Sequence, residues 1–308
     1  MLSPPNKRAA VGCAARNGGA WLALVTAIAA CSTGSTVNLG AEAPAPYHFG
    51  TPRVLSELGK QASDNPTLTA DLLEIFFTSN RDNVSIDIWT AKRTSAAAMF
   101  DAPVLVSEAS TPNFETSSAI SSDGLTLWFG SDRPGGLGGL DIWMIQRPAR
   151  DGAWSPPVDL LELNSASLDL PRPPGFHERV MPLSSERDNP IVYWTYFSTR
   201  AAAAEPFGAP VPIPELSFSQ QSTVDAFLTD DGLALFYSSS PPEGSGDLYV
   251  AWRRTTADPF TLSAPLDELN TPYAERDPWL SADGTTFFFS SDRGGVGLQI
   301  YEVAATRM

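Results

Sequence analysis

Residues 121–133 read Ser-Ser-Asp-Gly-Leu-Thr-Leu-Trp-Phe-Gly-Ser-Asp-Arg, and this stretch decides the fold. An Asp-Gly pair between two apolar runs predicts a β-hairpin, because glycine adopts a positive φ without steric cost. The alternation of side chains in residues 125–129 is typical of a β-strand. Residues 141–143 read Asp-Ile-Trp and begin a further predicted strand.

The same marks recur along the chain with a period of about 53 residues, which is in the range of repeat architectures. An aspartate precedes an apolar strand at Asp71, Asp123, Asp231 and Asp283. Ser-Asp-Arg or a variant ends that strand at Arg81, Arg133, Arg187 and Arg293. A proline-containing segment with Glu or Glu-Leu recurs at Pro52, Pro103, Pro157, Pro210 and Pro265. Four antiparallel strands in each such unit are typical of β-propeller blades.

The number and order of these marks predict an all-β protein with five four-stranded blades. The segment at Pro52 precedes every other predicted strand, and the chain ends just after the third strand of the last unit. We therefore expect residues 49–58 to supply the outer strand of the last blade and to close the ring. The prolines of the fourth strand place it at the outer edge, because proline donates no ladder hydrogen bond. The third repeat lacks Asp-Gly and is the weakest.

The pattern Ser-x-Asp-Gly, apolar strand, Ser-Asp-Arg and Asp-Ile-Trp resembles the TolB-like β-propeller repeat, also called the WD-like repeat of bacterial envelope proteins. The resemblance covers residues 47–308, which we expect to form the propeller domain. It implies a place in the bacterial cell envelope. TolB itself has six blades and an additional α/β domain, whereas this sequence predicts five blades and no such domain. The resemblance therefore does not carry over the partners of TolB.

Residues 1–30 are typical of an export signal. Lys7 and Arg8 give a basic start, and residues 21–30 form an apolar run that is too short to span a bilayer. Residues 28–31 read Ile-Ala-Ala-Cys and resemble the bacterial lipobox, which implies that Cys31 is lipidated and becomes the first residue. The alternative is an ordinary signal peptide followed by an incidental cysteine. Ser32 rather than Asp follows the cysteine, and this resemblance favours the outer membrane, facing the periplasm or the cell surface.

Residues 31–46 are rich in Ser, Thr, Gly, Ala and Pro and are predicted to be a flexible tether. A single lipidated residue can then anchor the domain to the membrane without a transmembrane helix.

Composition excludes several classes of function. The net charge is −15, and loss of the signal peptide makes the chain more acidic, which excludes a nucleic-acid partner. Both cysteines lie in the first 31 residues, and two histidines are too few to suggest a metal site. No nucleophile elbow, phosphate loop or dinucleotide fingerprint is present. We expect a monomer that is not an enzyme and binds neither metal nor cofactor.

Two arginine–aspartate pairs are candidate structural elements of the blades. Arg81 with Asp87, and Arg133 with Asp141, lie six to eight residues apart across one connection between strands. We expect each pair to form a salt bridge that stabilises its blade. The alternative is a ring of arginines that binds an anionic ligand. The structural interpretation is favoured because a ligand site has no need to recur in every blade.

Four residues that precede the hairpin aspartate by six positions are candidates for the central channel: Asn65, Ser117, Asp225 and Asp277. The first strand of a blade lines the channel, so these residues should lie at one level. They are either solvated channel residues, or Asp225 and Asp277 hold a cation or act as the acid and base of a glycosidase.

The function predicted from the sequence is a lipid-anchored module that binds or scaffolds an envelope protein or a peptidoglycan-associated partner. The alternative is a glycan-active hydrolase or lyase that uses the channel carboxylates. Three carboxylates converging in a deep funnel would favour the enzyme, whereas a polar plug in the channel would favour binding.

Overall fold

The computed structural model describes residues 45–82, 85–241 and 244–308. These residues form five antiparallel sheets that pack side by side in chain order, with the fifth sheet in contact with the first. The first strand of each sheet faces the centre, and the fourth lies at the outer edge. The predicted all-β, five-bladed propeller is therefore confirmed.

The strands follow the predicted repeat. The chain begins with β1 (Tyr47–Phe49) and β2 (Arg53–Val54). Blade 1 contains β3 (Ser63–Leu68), β4 (Glu74–Ser79), β5 (Asp87–Lys92) and β6 (Val104–Leu105). Blade 2 contains β7 (Glu115–Ile120), β8 (Thr126–Ser131), β9 (Asp141–Gln146) and β10 (Val158–Asp159). Blade 3 contains β11 (Asp169–Pro171), β12 (Val180–Ser185), β13 (Trp194–Thr199) and β14 (Val211–Pro212).

The last two blades complete the ring. Blade 4 contains β15 (Ser222–Leu228), β16 (Ala234–Ser240), β17 (Asp247–Trp252) and β18 (Leu262–Pro265). Blade 5 contains β19 (Glu275–Leu280), β20 (Thr286–Ser291) and β21 (Gln299–Arg307), to which β1 and β2 add. Single 3-10 turns lie at Ser56–Leu58 and Pro214–Leu216.

The hydrophobic core consists of five clusters, one between each pair of neighbouring blades. Each sheet is therefore covered on both faces, which explains why successive residues of the second strands are buried. In β20, Phe287 and Phe289 pack toward blade 4, whereas Phe288 packs toward blade 1. No blade can bury both of its faces without two neighbours, so the fold requires a closed ring.

The ring closes where the two ends of the domain pair. β2 pairs with β21 through Arg53 opposite Glu302, and an ion pair joins these two side chains. β1 pairs with the end of β21, and Leu58 follows as a buried residue that is 3% exposed. The predicted closure by residues 49–58 is confirmed.

Two faces of the propeller are distinguished by their loops. The hairpin face carries the turns between first and second strands, at Asp71, Asp123, Asp231 and Asp283. The arginine face lies at the other end of the second strands and carries Arg81, Arg133, Arg187 and Arg293. First strands run from the arginine face to the hairpin face.

The predicted signal peptide, Cys31 and the tether up to residue 44 lie outside the described residues, so these remain predictions. Within the described ranges, no helix is long and apolar enough to cross a bilayer.

The closing segment should contribute strongly to stability. We expect Leu58→Ala to lower the free energy of unfolding by about 2–5 kcal/mol, because it leaves a cavity in the core between blades 5 and 1. The control is Leu161→Ala, whose side chain is 57% exposed and whose loss should cost less than about 0.5 kcal/mol. Urea titration measures the free energy of unfolding of both variants. An equally small loss for Leu58→Ala and Leu161→Ala would contradict closure by this segment.

Candidate functional site

The four candidate channel residues occupy equivalent positions on the first strands of blades 1, 2, 4 and 5. Each lies at a β-bulge in the pairing with the second strand. Each also has a left-handed backbone, with φ of 52° at Asn65, 51° at Ser117, 58° at Asp225 and 58° at Asp277. The repeat therefore places all four at equivalent positions around the centre of the ring. Their role in binding or chemistry stays a prediction.

The first strand of blade 3 has no such bulge, and it supplies an arginine instead. Pro171 pairs with Leu183 in regular register, and the backbone N–H of Arg172 continues the ladder to Pro182. The side chain of Arg172 is fully buried, at 1% exposed. Sequence reasoning missed this residue, although the proline-rich break in the third repeat marks its position.

The guanidinium of Arg172 reaches two other blades. Its Nη1 donates to Asn65 Oδ1 at 2.9 Å and lies 3.6 Å from Asp277 Oδ1, and Nη2 donates to the carbonyl of Pro278 at 3.4 Å. The other carboxylate oxygen of Asp277 accepts a hydrogen bond from the backbone of Asn65 at 3.1 Å. Arg172, Asn65 and Asp277 therefore form a polar plug that joins blades 1, 3 and 5.

Two further carboxyl groups lie beside this plug, and both are partly accessible. Burial and the charge of Asp277 raise the pKa of Asp225 to about 7, against a smaller opposing effect of Arg172. Burial and the charge of Asp277 also raise the pKa of Asp64 to about 7. Three carboxyl groups therefore lie close together in the channel, those of Asp64, Asp225 and Asp277, and the last of these belongs to the plug. The described part of the chain holds no cluster of three His, Cys, Asp or Glu side chains arranged to bind a metal ion.

A cavity of about 920 Å³ opens on the hairpin face. Its wall includes the last residues of four first strands, Leu68, Ile120, Leu228 and Leu280. Phe227 and Trp279 also line it, with ring centroids 5.8 Å apart. Trp279 is 5% exposed, and it both packs in the core between blades 5 and 1 and lines the cavity.

Blade 3 also forms part of the cavity mouth, through a turn that replaces Asp-Gly. Phe176, His177 and Glu178 are three consecutive residues with φ of 50°, 58° and 57°. Each such residue costs about 1–2 kcal/mol unless its surroundings hold it. The backbone of His177 donates to Asp230 of blade 4 at 2.7 Å, and Glu178 accepts from the backbone of Ser122 of blade 2 at 2.8 Å. The strained turn is thus fixed to both neighbouring blades.

The arginines of the second strands pair differently from the prediction. Among the described residues, Arg133 forms its ion pair with Glu115 at 3.2 Å and not with Asp141. Asp141 instead accepts from the backbone of Gly138. The strand register causes this, because Glu115 lies directly opposite Ser131. The prediction of the Arg133 partner was therefore wrong.

In the first blade, Arg81 and the predicted partner Asp87 likewise contact other residues. Arg81 donates to the hydroxyls of Ser79 and Ser63, and its guanidinium lies over the rings of Phe77 and Trp89. Asp87 accepts from Ser85. The recurring signal is an acid or serine 18 residues before the arginine, as in Ser63–Arg81, Glu115–Arg133, Asp169–Arg187 and Glu275–Arg293.

A second set of arginines, which the sequence pattern alone did not reveal, stabilises the turns of the hairpin face. Each donates from Nε to a backbone carbonyl of the turn and stacks on an aromatic ring seven residues later. The pairs are Arg93–Phe100, Arg147–Trp154, Arg200–Phe207 and Arg253–Phe260. Regular spacing of Arg and an aromatic residue is the signal that finds them. These arginines fix the turns that surround the cavity.

Comparison with known proteins shows similarity of fold. No family model matches the sequence, and no curated protein matches it. A protein of unknown function from Dyadobacter fermentans matches at 12% identity over 86% of this chain and 100% of its own, with a TM-score of 0.54. The endo-arabinase from Bacteroides thetaiotaomicron matches at 11% identity over 83% of this chain and 96% of its own, with a TM-score of 0.51.

TolB structures are also among the similar ones, as the repeat pattern predicts. TolB from Acinetobacter baumannii matches at 12% identity over 80% of this chain, with a TM-score of 0.49. This chain spans 55% of that TolB chain, about half of its length. Identities this low show the fold alone and leave the activity open.

The channel carboxyls should make stability depend on pH. The pKa values of Asp64 and Asp225 are raised from 3.8 to about 7, so the folded state binds more protons than the unfolded state between these values. The free energy of unfolding should therefore fall as the pH rises from about 4 to 7 and level off above it. Urea titrations at a series of pH values measure this slope.

Asp225→Asn should flatten the slope, because the amide mimics the protonated carboxyl. The control is Asp292→Asn on the arginine face, where a single carboxylate bond to the backbone of Ala274 is affected, and the slope should persist. An Asp225→Asn variant with the slope of the parent protein would show that this carboxyl is not held protonated.

Proposed function

We propose that the protein is a binding module whose hairpin-face cavity holds a ligand or a segment of a partner. The observation that carries this proposal is the cavity itself. Its volume of about 920 Å³ lies within the usual range of ligand pockets, and apolar walls with polar groups at the mouth are typical of them. The propeller supplies a rigid frame, and loops on such a frame commonly carry binding residues.

The position of the plug favours binding over chemistry in this cavity. Neither Arg172 nor any of the three channel carboxyls belongs to the described lining of the cavity. A ligand on the hairpin face therefore meets apolar side chains and the carboxylates at the mouth. Carboxyls suited to acid–base chemistry are not in contact with it.

The second candidate function is glycan hydrolysis or elimination at the channel carboxyls. The specific observation in its favour is that Asp64 and Asp225 are partly accessible and have pKa values of about 7, which suits a general acid at neutral pH. The fold is shared with the Bacteroides thetaiotaomicron endo-arabinase, although the identity is 11%. This function would use the channel and not the hairpin-face cavity.

The proposed location is the cell envelope, with Cys31 as the lipid-modified residue and the outer membrane as the anchoring surface. The export signal, the lipobox-like segment and the Ser/Ala/Pro-rich tether support this part of the proposal. A monomeric propeller on such a tether would reach an envelope protein or a peptidoglycan-associated partner.

Site-specific photo-crosslinking in cells tests the proposal. A crosslinking residue at Ala282, an exposed position at the cavity mouth, should capture a discrete partner. One at Leu137, which is 56% exposed in an arginine-face loop, should not. Ala70→Trp fills the mouth and should reduce the Ala282 adduct at least fivefold, whereas Ala97→Trp, an exposed position of the same blade outside the cavity lining, should not.

Two results would contradict binding at this cavity. The first is an Ala282 adduct that Ala70→Trp leaves unchanged. The second is turnover of an envelope glycan that Asp225→Asn abolishes while the fold, followed by circular dichroism, is retained. The latter result would establish the second candidate function.

A further inference from the structure

The mouth of the hairpin-face cavity carries an excess of negative charge. Four of its lining residues are acids, Glu178, Asp230, Asp231 and Asp283, whereas Arg307 and His177 are its basic ones. Arg307 is already paired with Asp231, Arg200 lies 3.9 Å from Glu178, and His177 lies 3.1 Å from Asp230. The charge that remains for a ligand to meet is therefore negative.

Two of these carboxylates are held in the ionised form by the hairpins themselves. The pKa of Asp283 is lowered because its Oδ1 accepts hydrogen bonds from Ser281 and from the backbone of Thr285. Burial opposes ionisation of Asp231, but hydrogen bonds from Thr229 and Arg307 outweigh it and lower the pKa. The negative charge at the mouth thus persists well below neutral pH.

One carboxylate oxygen at the mouth stays available. The hydrogen bonds that Asp283 accepts from Ser281 and Thr285 all go to Oδ1, so they leave Oδ2 of this exposed residue for a ligand. Below it, the cavity wall is apolar and includes the rings of Phe227 and Trp279. A cation near these aromatic faces gains a further attraction from the rings.

We infer that the hairpin-face cavity selects a cationic peptide segment with apolar or aromatic side chains. Its basic side chains would lie among Glu178, Asp230 and Asp283, and its apolar side chains against Phe227 and Trp279. Charge complementarity is what favours this occupant, because an acidic segment would meet the net negative charge of the mouth. The inference rests on the proposed function, since it names the chemistry of the ligand of the same cavity.

Three synthetic pentapeptides of one apolar frame test the inference: Phe-Leu-Lys-Leu-Lys, Phe-Leu-Gln-Leu-Gln and Phe-Leu-Glu-Leu-Glu, each with blocked ends and a neutral fluorophore. Fluorescence anisotropy with the purified full chain measures their dissociation constants at low and high salt. We expect the lysine peptide to bind at least tenfold more tightly than the glutamate peptide, with the glutamine peptide between them. Salt should reduce the difference, because it screens exposed charges.

Asp283→Asn keeps an Oδ1 acceptor for the hairpin and removes the charge, so it should weaken the lysine peptide about three- to fivefold. Asp292→Asn is the matched control in the same blade. Asp283 precedes β20 on the hairpin face, whereas Asp292 follows β20 on the arginine face. It should change the dissociation constant less than twofold. Phe227→Ala should weaken all three peptides.

The outcomes separate this inference from the proposed function. Equal binding of the three peptides, with all three weakened by Phe227→Ala, would overturn the cationic preference and leave the cavity as a binding site. Tighter binding of the glutamate peptide than of the lysine peptide would also overturn the cationic preference and leave the cavity as a binding site. No binding of the lysine peptide at about 1 mM would overturn the inference outright, and the crosslinking at Ala282 would still decide the proposed function.

Discussion

The ion pair and hydrogen bonds of Arg172 at the centre of the ring are the interaction on which the rest of the molecule depends. A buried guanidinium is strongly unfavourable unless it is paired and hydrogen-bonded, so its partners must be held in place. Those partners, Asn65 and Asp277, come from blades 1 and 5, while Arg172 comes from blade 3. One side chain therefore links three of the five blades across the channel. It also opposes the rise in the pKa of Asp225.

The blade that breaks the repeat provides the distinctive features of the channel and of the cavity. Positions that recur from blade to blade hold the fold together, such as the arginines that join second strands to first strands in four of the five blades. Blade 3 lacks both the bulge and the Asp-Gly turn, and in their places it carries Arg172 and the left-handed turn at His177 and Glu178. A strained turn fixed to both neighbours is the kind of feature that persists where it serves a site. The cavity mouth is therefore asymmetric although the frame is close to fivefold.

Much of the fold follows from the sequence, because hydrophobic patterning and turn chemistry are local signals. Asp-Gly at Asp123 marks a hairpin, and the proline segment at Pro52 marks the strand that closes the ring. Ion-pair partners are less predictable, because nearness in sequence pointed Arg133 to Asp141, whereas the register of two strands brings Glu115 to it. Arg172 has no counterpart in the other repeats, so no periodic signal could assign it. The cavity depends on the packing of four strand ends and the turn of blade 3, and it has no sequence signature at all.

The direct measurement of the central role of Arg172 is the stability of Arg172→Leu. Removal of the guanidinium leaves the buried carboxylate of Asp277 and the amide of Asn65 without their partner, so the free energy of unfolding should fall by about 3–5 kcal/mol. Arg254→Leu, which removes an exposed arginine of blade 4, should change it by less than about 0.5 kcal/mol. Urea denaturation of the two variants beside the parent protein gives the comparison. A loss below about 1 kcal/mol for Arg172→Leu would contradict the account.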